Sequence, residues 1–275
     1  MRVSARPCID RRRFLRQAAA AGLTVGTWTH RAIAQEVPLA ERLARYATGL
    51  RYEDLPEDIV RLAKRTILDT VGCAFGGYAA APSKIALRLA GGVSAKQPAT
   101  VLISGIETSP DLAVFADGVM IRYLDFNDAF VSLTHGAGHP SDTIAALLTA
   151  AELHRRSGRD LVTATVLAYE VFCKIADVFD YLGNGIDHST ITGIAATVGA
   201  GRLMGLTGDQ LVQAIGITVG GNTATRQGRA DALSNWKAFA AAPMRVARRF
   251  FRWSLHRTGS RGPPMSSRGA TAFSR

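Results

Sequence analysis

The strongest constraint on the fold is a run of helix-length apolar segments between residues 35 and 242, each opened by residues typical of helix starts. Pro56 precedes two acids and an apolar pattern of helical period, and residues 109–111 (Ser-Pro-Asp) open another such segment. Residues 207–210 have the spacing of a capping box. Because helices of this number and length leave little chain for a sheet, the sequence predicts an all-α helical bundle, with residues 99–103 as an isolated strand or connector.

The second half of this body contains the segments that we expect to be most buried. Ser141 and Asp142 are expected to cap a helix that ends near Gly158, and residues 160–180 are apolar enough for a central helix. Residues 189–205 are nearly all small, which lets helix backbones approach closely. The glycines of that segment lack the spacing of a dinucleotide-binding loop, and no strand precedes them, so close helix packing is the better interpretation.

The positive charge of the chain lies at its two ends. The formal net charge is +11, but residues 1–34 and 243–275 together contain fifteen Arg and one acid, so the body between them is slightly acidic. A nucleic-acid interface would place basic residues on the folded body, so none is predicted. The three cysteines form no CxxC pair or Cys/His cluster, which argues against zinc or a redox pair. No apolar run is long enough for a transmembrane helix.

The first 34 residues have the order of an export signal. Arg11 and Arg12 precede Phe-Leu, a mildly apolar Ala/Gly-rich stretch and a small-residue site ending at Ala34. The arginine pair resembles a twin-arginine signal. We therefore expect cleavage after Ala34 and a periplasmic protein that has no membrane contact once the signal is removed. The alternatives are a basic disordered amino terminus and, if the signal is not used, a cytoplasmic location.

The segment 243–275 differs from the body in composition. It is rich in Arg, Ser and Gly, without Asp, Glu or Lys and without helical periodicity. One interpretation is a basic disordered tail. The other is an aberrant tail produced by a shifted reading frame, which we favour because suitable codons for residues 258–274 can spell a different, plausible continuation.

The residues able to carry chemistry cluster between residues 123 and 142. Asp125 and Asp128 follow one predicted helix, and His135 and His139 precede the next. A helix N-terminus offers unpaired N–H groups and positive potential, which suit a carboxylate ligand. The alternative is that these side chains serve turns and caps. The two histidines have the spacing of a metal pair, but the neighbouring Gly and Pro residues oppose the continuous helix that such a pair needs, so no metal is predicted.

Three motifs, in this order, resemble the MmgE/PrpD family, which includes 2-methylcitrate dehydratase and cis-aconitate decarboxylase. The first joins Leu-Asp-Phe-Asn-Asp at residues 124–128 to Gly-His-Pro-Ser-Asp at residues 138–142. The second surrounds His188, before the small-residue helix. The third runs from Arg229 to Ala242 and contains Ser-Asn-Trp-Lys at residues 234–237, with alanines after it. The matches span roughly residues 38–242.

The resemblance implies roles for individual side chains. The catalytic candidates are Asp125, His139, His188 and Lys237, and the substrate-binding candidates are Asp128, His135, Ser141 and again Lys237. His139 would do acid/base work with Asp125 orienting or polarising it. His188 is a second acid/base candidate, and Lys237 would bind a carboxylate. The chain departs from the decarboxylase branch at Ala129, where that branch has Thr, and from the third motif at residues 231–232, where the family has Gly-Glu.

The resemblance also implies a fold and a reaction. The family fold is a helical domain with a smaller α+β lid, an active site between them and a homodimeric assembly. The lid should follow residue 242, and we expect it to be absent from this chain. The implied reaction is dehydration of a hydroxy-tricarboxylate such as 2-methylcitrate, a small di- or tricarboxylate substrate, without metal or organic cofactor. A decarboxylase or epimerase of the same family, a non-catalytic exported tricarboxylate-binding module, and an inactive truncated product remain alternatives.

Overall fold

A computed structural model describes residues 37–221 and 223–226, together with the single residues 239, 243, 246 and 247. The predicted export signal, Lys237 and most of the predicted tail therefore lie outside the described residues. The domain boundaries assigned to them stay predictions.

Eight α-helices account for most of the described chain, and the predicted all-α class is confirmed. In chain order they are α1 (Leu39–Gly49), α2 (Glu57–Gly77), α3 (Ala81–Gly91), α4 (Pro110–Tyr123), α5 (Ile144–Leu153), α6 (Gly158–Val178), α7 (Ser189–Leu203) and α8 (Gly208–Gly221). Short 3₁₀ turns cover Tyr52–Asp54 and Pro140–Thr143.

Four short strands form two antiparallel hairpins. In the first, β1 (Ala99–Thr100) pairs with β2 (Glu107–Thr108). In the second, β3 (Phe130–Val131) pairs with β4 (Ala137–Gly138). The isolated strand or connector predicted at residues 99–103 is thus in part a strand, but a paired one. The second hairpin lies between two predicted helices, where no strand was predicted.

Helix α7 is the centre of the bundle, and nearly every residue in it is buried. It packs against α5, α6 and α8. A Cβ atom added at Gly199 would lie 2.8 Å from the Leu147 side chain and 3.0 Å from the Ala164 carbonyl oxygen. The small residues of α7 therefore permit the close backbone approach that the sequence indicated.

Several helix starts lie where the sequence predicts them. Helices α2 and α4 begin beside their prolines, and Thr207 and Gln210 form the capping box of α8 through bonds of 2.9 and 3.3 Å. The cap predicted at Ser141 and Asp142 was wrong, because neither side chain caps a helix and both lie inside the 3₁₀ turn before α5. Helix α5 also ends earlier than expected, and Ser157 instead opens α6 with a capping box.

The isolated described residues near the carboxyl end lie against the bundle. Phe239 contacts Phe115, with ring centroids 5.9 Å apart, and Pro243, Val246 and Ala247 are buried. Of the helices that the structure describes, none combines the length and the apolar character needed to cross a membrane.

Candidate active site

A polar cavity of about 220 Å³ lies where the end of α4, the β3–β4 hairpin and the start of α7 meet. Its lining combines two arginines, two histidines and one carboxylate with small or apolar residues: Arg122, Asp125, Ala129, Phe130, Val131, Ala137, Gly138, His139, His188 and Arg226. An excess of cationic and potentially cationic groups makes the cavity suited to an anionic ligand.

Arg122 and Asp125 form the α4 side of the cavity. Arg122 is buried in the last turn of α4, and its Nη1 donates hydrogen bonds to Asp125 Oδ1 and, at 3.2 Å, to Asn127 Oδ1. The backbone of Asp125 has a φ of 59°, a left-handed conformation that Asp tolerates better than most residues. This turn ends α4 and leaves the Asp125 carboxylate half-exposed at the cavity wall.

The His139 ring is held in one tautomer. Its Nδ1 lies 2.6 Å from the main-chain oxygen of Asp128, and a carbonyl oxygen can only accept, so Nδ1 carries the proton. In the neutral ring Nε2 then has a free electron pair. That nitrogen lies 3.6 Å from Asp125 Oδ1. Such an arrangement suits a general base whose protonated form is stabilised by the neighbouring carboxylate.

Asp142 is a buried carboxylate behind the cavity wall. Its Oδ1 accepts a hydrogen bond of 3.0 Å from Asn127 Nδ2, and its Oδ2 lies 3.6 Å from Arg122 Nε. Burial raises the pKa of Asp142 to about 6, although the positive charges of Arg122 and His139 oppose the rise. Asp142 is therefore mostly ionised at neutral pH and titrates just below it.

His188 lies at the N-terminal cap of α7, between two carboxylates. Its Nδ1 is 3.7 Å from Asp187 Oδ1 and its Nε2 is 3.9 Å from Asp142 Oδ2. The His139 and His188 rings meet edge to face, with centroids 5.5 Å apart and planes inclined by 62°. The cavity thus brings together two imidazoles with different neighbours.

The cavity also contains an arginine outside the predicted set. The main-chain N–H of Arg226 donates to the Gly185 oxygen at 3.0 Å, and Thr225 bridges Ile186, so this segment is tied to the approach to α7. Among the residues that the structure describes, no carboxylate lies within ion-pair distance of the Arg226 guanidinium. It is placed to meet a negative charge on a ligand.

The β3–β4 hairpin packs too closely for side chains at two positions. A Cβ atom at Gly138 would lie 2.8 Å from the His188 ring and from Phe172, and one at Gly136 would lie 2.4 Å from the Tyr181 ring. The Tyr181 hydroxyl donates a 2.7 Å hydrogen bond to the Ala137 oxygen and so anchors this strand. The glycines let the hairpin lie against Tyr181 and against His188 at the start of α7.

The predicted site residues separate into three groups. Asp125, His139 and His188 line the cavity. Asp128 and Ser141 do not line it; Asp128 Oδ1 accepts the Ser141 main-chain N–H at 3.1 Å, so both support the turn that bears His139. His135 is exposed and outside the lining, and Lys237 lies outside the described residues. Within the described ranges, no group of three or more His, Cys, Asp or Glu is arranged to hold a metal ion.

Sequence reasoning missed four residues of the site: Arg122, Asn127, Asp142 and Arg226. Asn127 and Asp142 belong to the two halves of the first motif, so their place in that motif was a usable signal. The sequence signal at Arg122 was weaker, because a basic residue in the last turn of a helix is ordinarily explained by its interaction with the helix dipole. Arg226 belongs to no motif that we identified.

The fold and the cavity define a helical protein with an acid/base site for anions, and comparison with known proteins gives its family. The family model of the MmgE/PrpD N-terminal domain matches residues 41–275, so the chain belongs to the MmgE/PrpD family.

Curated relatives are named as dehydratases. The chain is 28% identical to the 2-methylcitrate dehydratase of Cupriavidus necator over 66% of this chain and 38% of the relative. It is also 28% identical to the enzyme of Escherichia coli K12 (61% of this chain, 37% of the relative). It is 30% identical to an alkylcitrate dehydratase of a fungal species (56% and 33%). The matched part of the chain thus spans between 33% and 38% of the length of these relatives.

Proposed function

We propose that this domain contributes the acid/base machinery for dehydrating a hydroxy-tricarboxylate such as 2-methylcitrate. The observation that carries the proposal is the pairing of two imidazoles, 5.5 Å apart, in a cavity with two arginines. Family membership and the dehydratase relatives support it at the level of reaction class.

His139 is the proton acceptor in this proposal. Its Nδ1 donates to a carbonyl oxygen, so Nε2 receives the proton from the carbon next to a substrate carboxylate. The C–H electron pair forms the double bond as the C–O bond breaks. Asp125, 3.6 Å from Nε2, stabilises the imidazolium that results.

His188 is the proton donor. The hydroxyl must leave as water, which requires a proton at the oxygen as the C–O bond breaks. The carboxylate of Asp187, 3.7 Å from its Nδ1, favours the charged ring that can supply this proton. Arg226 and, by family resemblance, Lys237 bind substrate carboxylates.

Ala129 favours dehydration over decarboxylation. It lines the cavity at the position where the decarboxylase branch has Thr, so the hydroxyl of that branch is missing. A decarboxylase or epimerase, and a non-catalytic tricarboxylate-binding module, are the competing functions. Whether the chain turns substrate over without further sequence is the first question for an assay.

The test compares His139→Ala with His135→Ala in the purified chain, using 2-methylcitrate and following the unsaturated product. A general base contributes about 10² to 10⁴ in rate, so His139→Ala should lose at least about 100-fold, whereas the exposed His135 should tolerate the change. Near-normal turnover in His139→Ala would remove it from the mechanism. Saturable citrate binding without product would support the binding module instead.

We also propose export and homodimer formation, as the arginine motif and the family resemblance imply. A reporter fused to residues 1–40 should be exported, and changing Arg11 and Arg12 to Lys should abolish export. Unchanged export would refute the twin-arginine assignment.

Sedimentation of the purified protein tests whether it forms a dimer. The nucleotide sequence across codons 242 and 243 tests whether the reading frame is shifted there.

A further inference from the structure

The structure places a third group behind the two imidazoles that the proposed chemistry does not use directly. Asp142 is buried, does not line the cavity, and lies within 4 Å of a charged or titratable nitrogen on each side: Arg122 Nε at 3.6 Å and His188 Nε2 at 3.9 Å. One carboxylate oxygen is thus shared between a permanent cation and an imidazole.

The geometry also fixes the orientation of this carboxylate. Asn127 Nδ2 donates to both Asp142 Oδ1, at 3.0 Å, and Ser141 Oγ, at 2.9 Å, so Oδ1 is occupied and Oδ2 is turned toward Arg122 and His188. Arg122 in turn donates to Asn127 Oδ1. The carboxylate therefore cannot rotate away from His188 without losing hydrogen bonds inside a buried network.

Other charged and titratable groups surround this pair. Those facing His188 are Asp187 beside it, Asp142 from the 3₁₀ turn, the His139 ring, and Arg226 in the same cavity lining. Those acting on Asp142 are Arg122, His139, His188 and Asp128. Tyr169 is also near: burial raises its pKa, and the Asp128 and Asp142 charges add to the rise, so it remains neutral.

We propose that Asp142 is a positioning residue that holds the His188 ring in its cationic, proton-donating form and ties it to Arg122. Its role as support for a proton donor rests on the proposed function, whereas the electrostatic coupling between Asp142 and His188 does not. Ionised Asp142 stabilises the charged imidazole, and its loss leaves Asp187 as the remaining carboxylate neighbour, at 3.7 Å.

The primary experiment needs no turnover. Imidazole ¹⁵N signals are followed from pH 5 to 9 in the wild-type chain, in Asp142→Asn and in a control, Asp117→Asn, which removes another buried carboxylate at the other hairpin. We expect the His188 titration midpoint to move to lower pH in Asp142→Asn only, with exposed His135 unchanged. An unchanged His188 midpoint in Asp142→Asn would overturn the proposal.

A wild-type measurement covers the case in which Asp142→Asn does not fold. Because Asp142 Oδ2 lies 3.9 Å from His188 Nε2, the His188 signals should show a second inflection that coincides with titration of the Asp142 carboxyl carbon. Absence of that inflection would also overturn the proposal.

Kinetics then separate this proposal from the proposed function. If the chain turns over 2-methylcitrate, Asp142→Asn should lower kcat by about 10- to 100-fold with little change in KM, a fraction of the effect of losing a general acid. No turnover in the wild type, with the coupling present, would reject dehydration by this chain and retain the link between Asp142 and His188.

Discussion

The two hairpins of this domain each lie beside a buried aspartate, and the two aspartates differ in the charges that surround them. At the β1–β2 hairpin, Asp117 accepts a hydrogen bond of 2.9 Å from the main-chain N–H of Leu102, and the like charge of Glu152 acts on it. At the β3–β4 hairpin, Asp142 has Arg122 and an imidazole beside it.

The difference appears in their protonation. Burial raises the pKa of Asp117 to about 8, and Glu152 adds to the rise, so Asp117 is mostly neutral at pH 7. Burial also raises the pKa of Asp142, but Arg122 and His139 limit the rise to about 6. Burial by itself makes an acid neutral, and nearby cations keep it ionised. One hairpin is therefore held by an uncharged hydrogen bond, and the other surrounds an ionised network.

The largest effect is expected from removing the cation of the second hairpin. Arg122→Met leaves the buried carboxylate of Asp142 without its permanent cation, which should lower the free energy of unfolding by about 3 to 5 kcal/mol. Urea denaturation at pH 7.5 measures it. The double variant Arg122→Met/Asp142→Asn should recover much of the loss. If it is as unstable as the single variant, the charge pairing is not the cause.

Asp117→Asn should remove a pH dependence on the order of 3 kcal/mol between pH 5 and 9. The pKa of Asp117 in the fold lies above that of the unfolded chain, so its contribution is fully present below about pH 4 and is lost as the pH rises to about 8. Asn keeps the acceptor for Leu102 without the charge. Thermal unfolding across this range should show a flatter profile for the variant; parallel profiles would contradict the assignment.

Gly138→Ala should destabilise the second hairpin by about 1 to 3 kcal/mol, because the new methyl group meets the His188 ring and Phe172 at 2.8 Å. Gly72→Ala is a matched control in helix α2, where an added Cβ has no neighbour within 4 Å, and it should be neutral or slightly stabilising. Calorimetry compares the two. Equal melting temperatures would show that the hairpin can move away from His188.

The smallest effect is expected at Glu152, which accepts hydrogen bonds from the Thr100 main-chain N–H and, at 2.6 Å, from its hydroxyl. Glu152→Gln should cost less than about 1 kcal/mol, since Gln can still accept. It should also shift the Asp117 transition to lower pH, because a like charge is removed. A transition that does not move would mean that burial alone sets the Asp117 pKa.

Much of the helical framework could be predicted from local chemistry. Pro56, Pro110 and the Thr207–Gln210 box lie at helix starts because their preferences act within one turn. The helix cap predicted at Ser141 and Asp142 was wrong because of contacts that are distant in sequence. Asp is a residue type favoured at helix caps, but the Asp142 carboxylate instead contacts Arg122 and Asn127, which come from a different helix and its following loop.

The site residues that belong to the recognised motifs could be predicted from the sequence, and the others could not. Asp125, His139 and His188 were identified by resemblance and lie together. His135, only four residues from His139, is exposed because it lies in the turn of the β3–β4 hairpin, whereas His139 follows the second strand. Arg226 could not be identified, since the backbone bond that places it joins residues 41 positions apart in the chain.

Helix class, helix starts and the small-residue centre of the bundle follow from the order of residues alone, because turn-length sterics and hydrogen bonding settle them. The protonation of Asp117 and Asp142, the tautomer of His139 and the presence of Arg226 at the cavity follow from the folded arrangement. These depend on which charges and dipoles lie within a few ångströms after distant segments have packed. Local sequence patterns do not determine which distant segments come together.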